Sequence, residues 1–233
     1  MHRLRIATYN IHKCRGMDGR TRADRIGSVL EEVGADVLAL QEVLSDQADD
    51  LAGRLGFSHA FGETRLHRGD GYGNATLSRW DFKLIRPVDV TIEGREQRAA
   101  LRTDIRMGHH ILHIFNVHLG TAVRERKQQA VRLMDADLLK AIDISGPRIV
   151  LGDFNEWVHG LVTRSLTAEF HLTDLRVHLK RTRSYPALLP LLHLDHIYFD
   201  HHLKVEKAHF HRSRRAMIAS DHLPLVADLI LGE

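Results

Sequence analysis

The sequence predicts an α/β fold built as a sandwich of mixed β-sheets. Short apolar runs, typical of buried strands, alternate with a smaller number of amphipathic helices. Two halves rich in βα units each contain additional hairpin strands, which favours mixed sheets over an all-parallel arrangement. The GxGxxG fingerprint and the Walker phosphate loop are both absent, so a dinucleotide or P-loop fold is not indicated. No repeat or flexible linker divides the chain, and we predict a single domain over residues 1–233.

The first part of the chain predicts two strands and two helices. Residues 4–10 (LRIATYN) and 35–43 (ADVLALQEV) are apolar runs that end in polar residues, as expected of buried strands. Between them, residues 22–33 form a helix that ends at Gly34, with one apolar stripe made by Ile26, Val29, Leu30 and Val33. A second, shorter helix is predicted at residues 45–54.

The middle of the chain changes to successive strands separated by turns, which predicts antiparallel ribbons. These strands are residues 57–61, 73–79, 82–92, 98–106 and 110–119.

The last part returns to alternating helices and strands. A long helix is predicted over residues 121–144, with a core-facing stripe made by Ala130, Leu133, Met134, Leu138 and Ile142. A buried strand at 149–155 and a helix at 158–169 follow. Three more strands complete the chain at residues 194–200, 204–211 and 223–231.

Composition limits the class of protein. The 233 residues are 43% hydrophobic and 27% charged, which is ordinary for a globular protein. No apolar run approaches the roughly 20 residues of a membrane span, and the start, MHRLRIATYN, turns polar too early for a secretory signal. Cys14 is the one cysteine and no base that would activate it is evident, so we expect an unreactive residue and a reducing, cytoplasmic location. The formal net charge of +3 is a mild attraction for polyanions.

Unusual polar residues stand where the apolar strands begin or end. They are Asn10, Glu42, His118, Asp153, Asn155, Asp195, Asp221 and His222. Strand ends of an α/β sheet project into the crevice where ligands bind. Carboxylate and amide oxygens suit Mg²⁺ or Mn²⁺, whereas zinc would be expected to use cysteines or an HExxH motif, which does not occur. Two histidines can donate hydrogen bonds to a phosphoryl group, so the pattern predicts metal-assisted hydrolysis of a phosphate ester.

Six motifs, TYNIH, LALQEV, NVHLG, GDFNEW, LDHIYF and SDHLPL, occur in the order typical of the endonuclease/exonuclease/phosphatase superfamily, which the chain resembles from Asn10 to Leu231. Members of this superfamily include DNase I-like nucleases, exonuclease III-like repair enzymes, neutral sphingomyelinases and inositol polyphosphate 5-phosphatases. The resemblance implies a four-layer α/β sandwich, with two packed mixed β-sheets flanked by helices and the site at one end of the sheets.

The resemblance also implies roles for individual residues. Asn10 and Glu42 resemble metal ligands, and Asp221 a further carboxylate beside the metal. Asp153 resembles the group that orients or deprotonates the attacking water, and Asn155 a residue that positions phosphate or metal. His118 is similar to the histidine that hydrogen-bonds a phosphate oxygen. His222 resembles the second catalytic histidine, and Asp195 the carboxylate that orients it.

Departures from the superfamily's motifs reduce the number of substrate classes to consider. His12 and His118 stand where abasic-site repair enzymes often have an acid and a tyrosine, so the chain is more similar to the DNase I and sphingomyelinase side, and most to small bacterial members. We therefore expect a monomeric, Mg²⁺-dependent phosphodiesterase, with Mn²⁺ as the alternative ion. DNA, RNA and a phospholipid head group remain open as substrates. A phosphomonoesterase acting on a small sugar or inositol phosphate and a non-catalytic module are the alternatives.

Four further residues are candidates for binding substrate: His12, Arg98, Asn74 and Trp157. Arg98 is equally consistent with a solvated edge charge, and Asn74 with a residue outside the cleft. Asp153 and Asn155 are also consistent with a simple Asx turn. The basic clusters 124–127 and 212–215 fit solvated faces as well as contacts to nucleic acid or anionic lipid. The apolar loop 184–194 fits a lipid-facing or base-facing lip as well as core packing.

Overall fold

The computed structural model describes residues 1–135, 138–157 and 160–232. Within these residues the strands are β1 His2–Asn10, β2 Val37–Leu44, β3 Ser58–His67, β4 Asp70–Ser78, β5 Phe82–Asp89, β6 Ala99–Met107, β7 His110–His118, β8 Arg148–Asp153, β9 Thr173–Asp174, β10 Asp195–Phe199, β11 Leu203–Phe210 and β12 Leu225–Leu231. The α-helices are α1 Ala23–Val33, α2 Ser45–Leu55, α3 Val123–Leu133, α4 Leu161–Ala168 and α5 Ala216–Ala219. Short 3₁₀ turns lie at His12–Cys14 and Leu175–His178.

The strands form two mixed six-stranded sheets. The first has the order β11-β12-β1-β2-β4-β3 and the second the order β5-β6-β7-β8-β10-β9. In each sheet the central pair is parallel, β1 with β2 and β7 with β8, and the other pairs are antiparallel. The predicted ribbons of the middle segment are confirmed by the pairs β3–β4, β5–β6 and β6–β7.

Three buried clusters separate four layers, because successive side chains of a strand face opposite sides of its sheet. Ile6 of β1 and Ile114 of β7 belong to the cluster between the sheets. Tyr9 of β1 packs with the helical stripe of α1 on the outer face of the first sheet. Val117 of β7 packs with Ala130 of α3 on the outer face of the second. The predicted sandwich is confirmed.

The helix predicted over 121–144 is too long. It ends at Leu133, and Ile142, expected to face the core, is fully exposed. Leu138 is buried without being helical, because the chain turns after Leu133 and lies back against the sheet. Asp143 accepts two hydrogen bonds from Arg102 of β6, which holds this segment to the strand rather than along the helix axis. The helix predicted at 158–169 begins at Leu161, and residues 158–159 lie outside the described part of the chain.

Smaller differences concern strand length. The strand predicted at 57–61 extends to His67, and that predicted at 82–92 ends at Asp89. Among the described residues, none of the helices combines the length and the apolar character required to cross a membrane.

Candidate active site

Four strand ends place polar side chains in the space between the two sheets. In each strand the polar residue occupies the terminal inward-facing position of an apolar series: Ile6 precedes Asn10 in β1, Ile114 precedes His118 in β7, Leu151 precedes Asp153 in β8, and Ile197 follows Asp195 in β10. Alternation along a strand therefore orients all four side chains toward the opposite sheet. The sequence places the polar residues, and strand parity decides that they share one face.

The register of the second sheet brings three of these residues side by side. His118 lies opposite Asp153 across the parallel pair β7–β8, and Asp195 lies opposite Asp153 across the antiparallel pair β8–β10. Asn10 reaches from the other sheet, and its Nδ2 donates to Asp153 Oδ2 at 3.0 Å. The same amide donates to Glu42 Oε1 at 3.2 Å. Asp153 and Asn10 are therefore the point where both sheets meet at the site.

Glu42 reaches the site through a β-bulge. The pairing of β2 with β4 shifts between Leu40 and Val43, and Glu42 has a φ of +54°. Because of this extra residue, Leu40 and Val43 both face the helices, although strict alternation would place them on opposite faces. The left-handed backbone costs a non-glycine residue about 1–2 kcal/mol, so the fold stabilises a strained residue to orient this carboxylate.

The segment Asp153–Asn155 contains an Asx turn, with which the sequence is also consistent. Asp153 Oδ1 accepts the backbone N–H of Asn155 at 3.0 Å, and the side-chain amide of Asn155 donates to the Leu119 carbonyl at 2.9 Å. The two interpretations are compatible, because Oδ1 stabilises the turn while Oδ2 faces Asn10. Asn155 has a φ of +50°, which asparagine tolerates better than most residues.

Two imidazoles flank the inward oxygen of Asp153. Nε2 of His222 lies 3.6 Å from Asp153 Oδ2, and Nε2 of His118 lies 3.7 Å from the same atom. His222 is fixed from behind by Asp195, whose Oδ2 lies 2.9 Å from Nδ1 of the ring. Asp153, Asp195 and His222 also lie close enough together to be considered as metal ligands. However, Asp195 and His222 are already joined by a hydrogen bond.

The environments of the two histidines differ. Burial alone would lower the pKa of His222, but Asp195 and Asp153 outweigh it and raise that pKa to about 10. For His118, burial and the Arg98 guanidinium lower the pKa to about 4. Arg98 Nη1 lies 3.5 Å from His118 Nδ1. At neutral pH the pair therefore combines one imidazolium with one neutral imidazole.

Asp221 and His12 lie on the Asn10 side of the site. The Ser220 hydroxyl donates to the Asn10 carbonyl at 2.8 Å, which holds the neighbouring Asp221 against the end of β1. His12 Nδ1 lies 3.5 Å from Asp221 Oδ1. The backbone of His12 and Lys13 has φ values of +47° and +55°, so this turn is strained where it faces the site.

The donors on this side fit a hard divalent cation. Asn10, Glu42 and Asp221 offer amide and carboxylate oxygens, the ligand type that Mg²⁺ and Mn²⁺ prefer. Burial raises the pKa of Glu42, but His118, Lys13 and Asn10 together lower it below its usual range, so the carboxylate is ionised. Lys13 Nζ lies 2.7 Å from Glu42 Oε2, which shows that this carboxylate accommodates a positive charge.

The residues predicted to bind substrate differ in their burial and in their contacts. Arg98 is buried beside His118, which does not fit the solvated edge charge considered as its alternative. Asn74 is buried between the sheets, where its Nδ2 donates to the Ala99 carbonyl at 2.9 Å. This hydrogen bond braces β4 against β6, and a contact of Asn74 with substrate stays a prediction. Trp157 is half-exposed and has the Arg126 guanidinium 5.7 Å from its ring centroid.

Sequence reasoning missed two residues of the site. Lys13 follows the TYNIH motif in an irregular turn, where no periodicity indicates its direction. Tyr185, in the apolar loop 184–194, has its ring centroid 5.0 Å from that of the His222 ring. Cys14 agrees with expectation, because it is buried and burial raises its pKa to about 12.

Comparison with known proteins agrees with the fold. The chain is 29% identical to the Escherichia coli protein YbhP over 249 aligned positions, which cover 98% of this chain and 96% of YbhP. A Beutenbergia cavernae endonuclease/exonuclease/phosphatase structure superposes with a TM-score of 0.80 and 24% identity over 100% of this chain and 72% of that one. The mannosyl-6-phosphatase of Bacteroides thetaiotaomicron superposes with a TM-score of 0.82 and 16% identity, over 98% of this chain and 100% of that one. The model of the Endonuclease/Exonuclease/phosphatase family matches residues 7–222, so the chain belongs to this family.

Proposed function

We propose that the protein is a Mg²⁺-dependent phosphodiesterase that hydrolyses its substrate by in-line attack of water. The observation that carries the proposal is the environment of Asp153 Oδ2, which has an amide donor at 3.0 Å and two imidazoles at 3.6 and 3.7 Å. A buried carboxylate with its second oxygen held in a turn is a fixed acceptor for the proton of an attacking water. The flanking imidazoles are suited to contact the phosphoryl oxygens.

In this mechanism each residue has one task. Asp153 orients the water and accepts its proton as the new P–O bond forms and the ester P–O bond breaks. His118 and His222 donate hydrogen bonds to the phosphoryl oxygens, on which negative charge develops. Asp195 acts as a positioning residue, because it fixes the ring of His222 through Nδ1 at 2.9 Å. Arg98 adds positive charge beside His118.

Asn10, Glu42 and Asp221 would hold the metal ion. When bound, Mg²⁺ would supply charge neutralisation to the phosphate and the leaving oxygen. Mn²⁺, which prefers the same oxygen ligands, is the alternative ion. We expect EDTA-treated protein to be inactive and to recover on addition of either ion.

Replacement of Asp153 by Asn tests the role of its carboxylate. The amide keeps an oxygen that can accept the Asn155 N–H but loses the basic carboxylate, so we expect hydrolysis of bis(p-nitrophenyl) phosphate to fall by about 10²- to 10⁴-fold. Asp200→Asn is a matched control, because Asp200 is also buried and accepts a backbone N–H two residues on, from His202 at 3.0 Å. Its activity should equal that of the wild type. Retention of wild-type activity by Asp153→Asn would rule out the proposed base.

The finer identity of the substrate is also part of the proposal. We propose that the diester belongs to a nucleic acid or to a phospholipid head group. The enzyme would act on it as a single-domain monomer in the cytoplasm. A phosphomonoesterase is the second candidate, because one structural neighbour is a mannosyl-6-phosphatase. Rates on p-nitrophenyl phosphate and mannose 6-phosphate, compared with those on bis(p-nitrophenyl) phosphate, distinguish the two. Faster hydrolysis of the monoesters would replace the diesterase assignment.

A further inference from the structure

Three leucines of one loop are exposed beside the candidate active site. In the loop 184–194, Leu188 is 50%, Leu189 68% and Leu191 55% exposed. Single exposed apolar residues are common, but several large ones close together mark an interaction surface. The structure therefore decides one alternative left open by the sequence, because these three side chains do not pack in the core.

The loop is fixed to the catalytic segment. The Ala187 N–H donates to the Asp221 carbonyl at 2.7 Å, and the Leu223 N–H donates to the Ser184 carbonyl at 3.2 Å. The Tyr185 ring lies against the ring of His222 between these two hydrogen bonds. One side of the loop is thus held by the site, and the opposite side presents the leucines.

Basic side chains line a cavity next to Leu189. A cavity of about 910 Å³ adjoins the loop and has Leu189 and Pro190 in its wall. The positively charged residues of the same wall are Lys180, Arg181, Arg183, Lys207 and Arg212. Glu206, the one acid among the described residues of this wall, pairs with Arg3 at 3.1 Å. Within the described residues, no salt bridge engages Lys180, Arg181 or Arg183.

We propose that Leu188, Leu189 and Leu191, with Lys180, Arg181, Arg183 and Arg212, form a docking surface for an anionic lipid bilayer. Apolar side chains enter the boundary between head groups and acyl chains, while nearby basic side chains contact lipid phosphates. Arg212 joins the two parts of the surface, because its Nη2 donates to the Leu188 carbonyl at 3.3 Å. A nucleic acid would neutralise the same cations but leave the leucines in water, so the lipid surface fits better.

Docking at this surface has a consequence for the site. The loop bonded to Asp221 and Leu223 would bring His222 close to the lipid head groups. Hydrolysis of a head-group phosphate is a consequence that rests on the proposed function. Binding to the bilayer does not, since it depends only on surface residues outside the catalytic set.

Co-sedimentation with vesicles tests the docking surface. The probe vesicles contain phosphatidylcholine and phosphatidylglycerol in equal parts, and vesicles of phosphatidylcholine alone provide the uncharged comparison. We expect the wild type to bind the anionic vesicles, with binding that weakens in high salt. The triple variant Leu188→Ser, Leu189→Ser, Leu191→Ser and the double variant Arg181→Glu, Arg183→Glu should each lose binding by at least about tenfold.

Matched controls carry the same changes elsewhere. One control replaces three exposed apolar residues of β3, β5 and α3, in the variant Leu66→Ser, Ile85→Ser, Val131→Ser. The other reverses two exposed charges on β5 and β6, in the variant Lys83→Glu, Arg106→Glu. Both controls should bind like the wild type, and Asp153→Asn should bind while being inactive, which separates docking from catalysis. Circular dichroism checks that every variant is folded.

Three outcomes would overturn the proposal. Wild-type protein that does not bind the anionic vesicles would be the simplest. Equal losses in the control variants would show that the effect is not local. Binding of a single-stranded oligonucleotide that depends on Arg181 and Arg183 but not on the leucines, without binding to vesicles, would assign the surface to nucleic acid instead.

Discussion

At the scale of single residues, the most consequential contact that the sequence did not indicate is the one between Lys13 and Glu42. The ammonium lies 2.7 Å from Glu42 Oε2, and about a quarter of each side chain is exposed. The amide of Asn10 occupies the other oxygen at 3.2 Å. Lys13 and a metal ion would therefore compete for the same carboxylate.

Replacing Lys13 by Met should make the protein bind Mg²⁺ more tightly. A partly exposed ion pair contributes about 0.5–1 kcal/mol, so its loss should lower the half-saturating Mg²⁺ concentration about two- to fivefold. Titration of diesterase activity with Mg²⁺ measures this. Lys140→Met, which removes an exposed lysine that faces Glu169 at 3.9 Å outside the site, is the control and should leave the titration unchanged. A higher Mg²⁺ requirement in Lys13→Met would instead indicate that Lys13 supports the metal site.

At the scale of elements, the C-terminal end of strand β8 depends on a glycine. Gly152 has a φ of +146°, and a Cβ at this position would lie 1.9 Å from the Val117 carbonyl oxygen of β7. The close approach of the two parallel strands sets the position of Asp153, the next residue. The GDFN motif therefore includes a structural requirement as well as the catalytic acid.

Gly152→Ala should destabilise the fold by about 3 kcal/mol, because overpacking and an unfavourable φ add together. Gly53→Ala in α2 is the matched control, since no atom lies within 4 Å of its Cβ and the helix favours alanine. That control should gain about 0.5–1 kcal/mol. Urea unfolding of both variants measures the difference. Equal stabilities would contradict the steric argument.

At the scale of the whole molecule, a buried charge cluster connects the second sheet to the segment after α3. Arg102 is fully buried and donates to Asp104 of the same strand at 2.8 Å and to Asp143 at 2.9 Å. His113 of β7 lies 3.0 Å from Asp104. Burial opposes ionisation of Asp104, but His113 and Arg102 outweigh it and lower its pKa.

The sign of this shift predicts the acid stability of the fold. Because the pKa of Asp104 is lowered from 3.8 in the folded state, its stabilisation is complete above pH 3.8 and is lost as the pH falls through the folded pKa. Asp104→Asn should lower the free energy of unfolding by about 3 kcal/mol at pH 7, as expected when a buried ion pair is broken. It should also flatten the acid dependence. Asp143→Asn, at the half-exposed partner, should cost less than about 1 kcal/mol.

Denaturant unfolding at neutral pH and below pH 3.8 measures both effects. If the two variants proved equally stable at pH 7, the buried contact between Arg102 and Asp104 would contribute less to the free energy of unfolding than we predict. If Asp104→Asn kept the full acid dependence of the wild type, other carboxylates would be responsible for it.

The sequence by itself determined the strands, most helices and the polar residues at strand ends, because the periodicity of apolar residues is a local property. It also determined the family, through six motifs in order, which the match over residues 7–222 confirms. It misjudged the helix of 121–144, because the length of that helix is limited by the contact of Asp143 with Arg102, which are far apart in the chain.

Only the tertiary structure decided how the polar residues are arranged. Strand register places His118 and Asp195 beside Asp153, and a bulge turns Glu42 toward Asn10. The tertiary structure also revealed the ion pair between Lys13 and Glu42 and the exposed leucines of the 184–194 loop. These features depend on pairings between distant segments and on irregular backbone, and neither leaves a periodic pattern in the sequence.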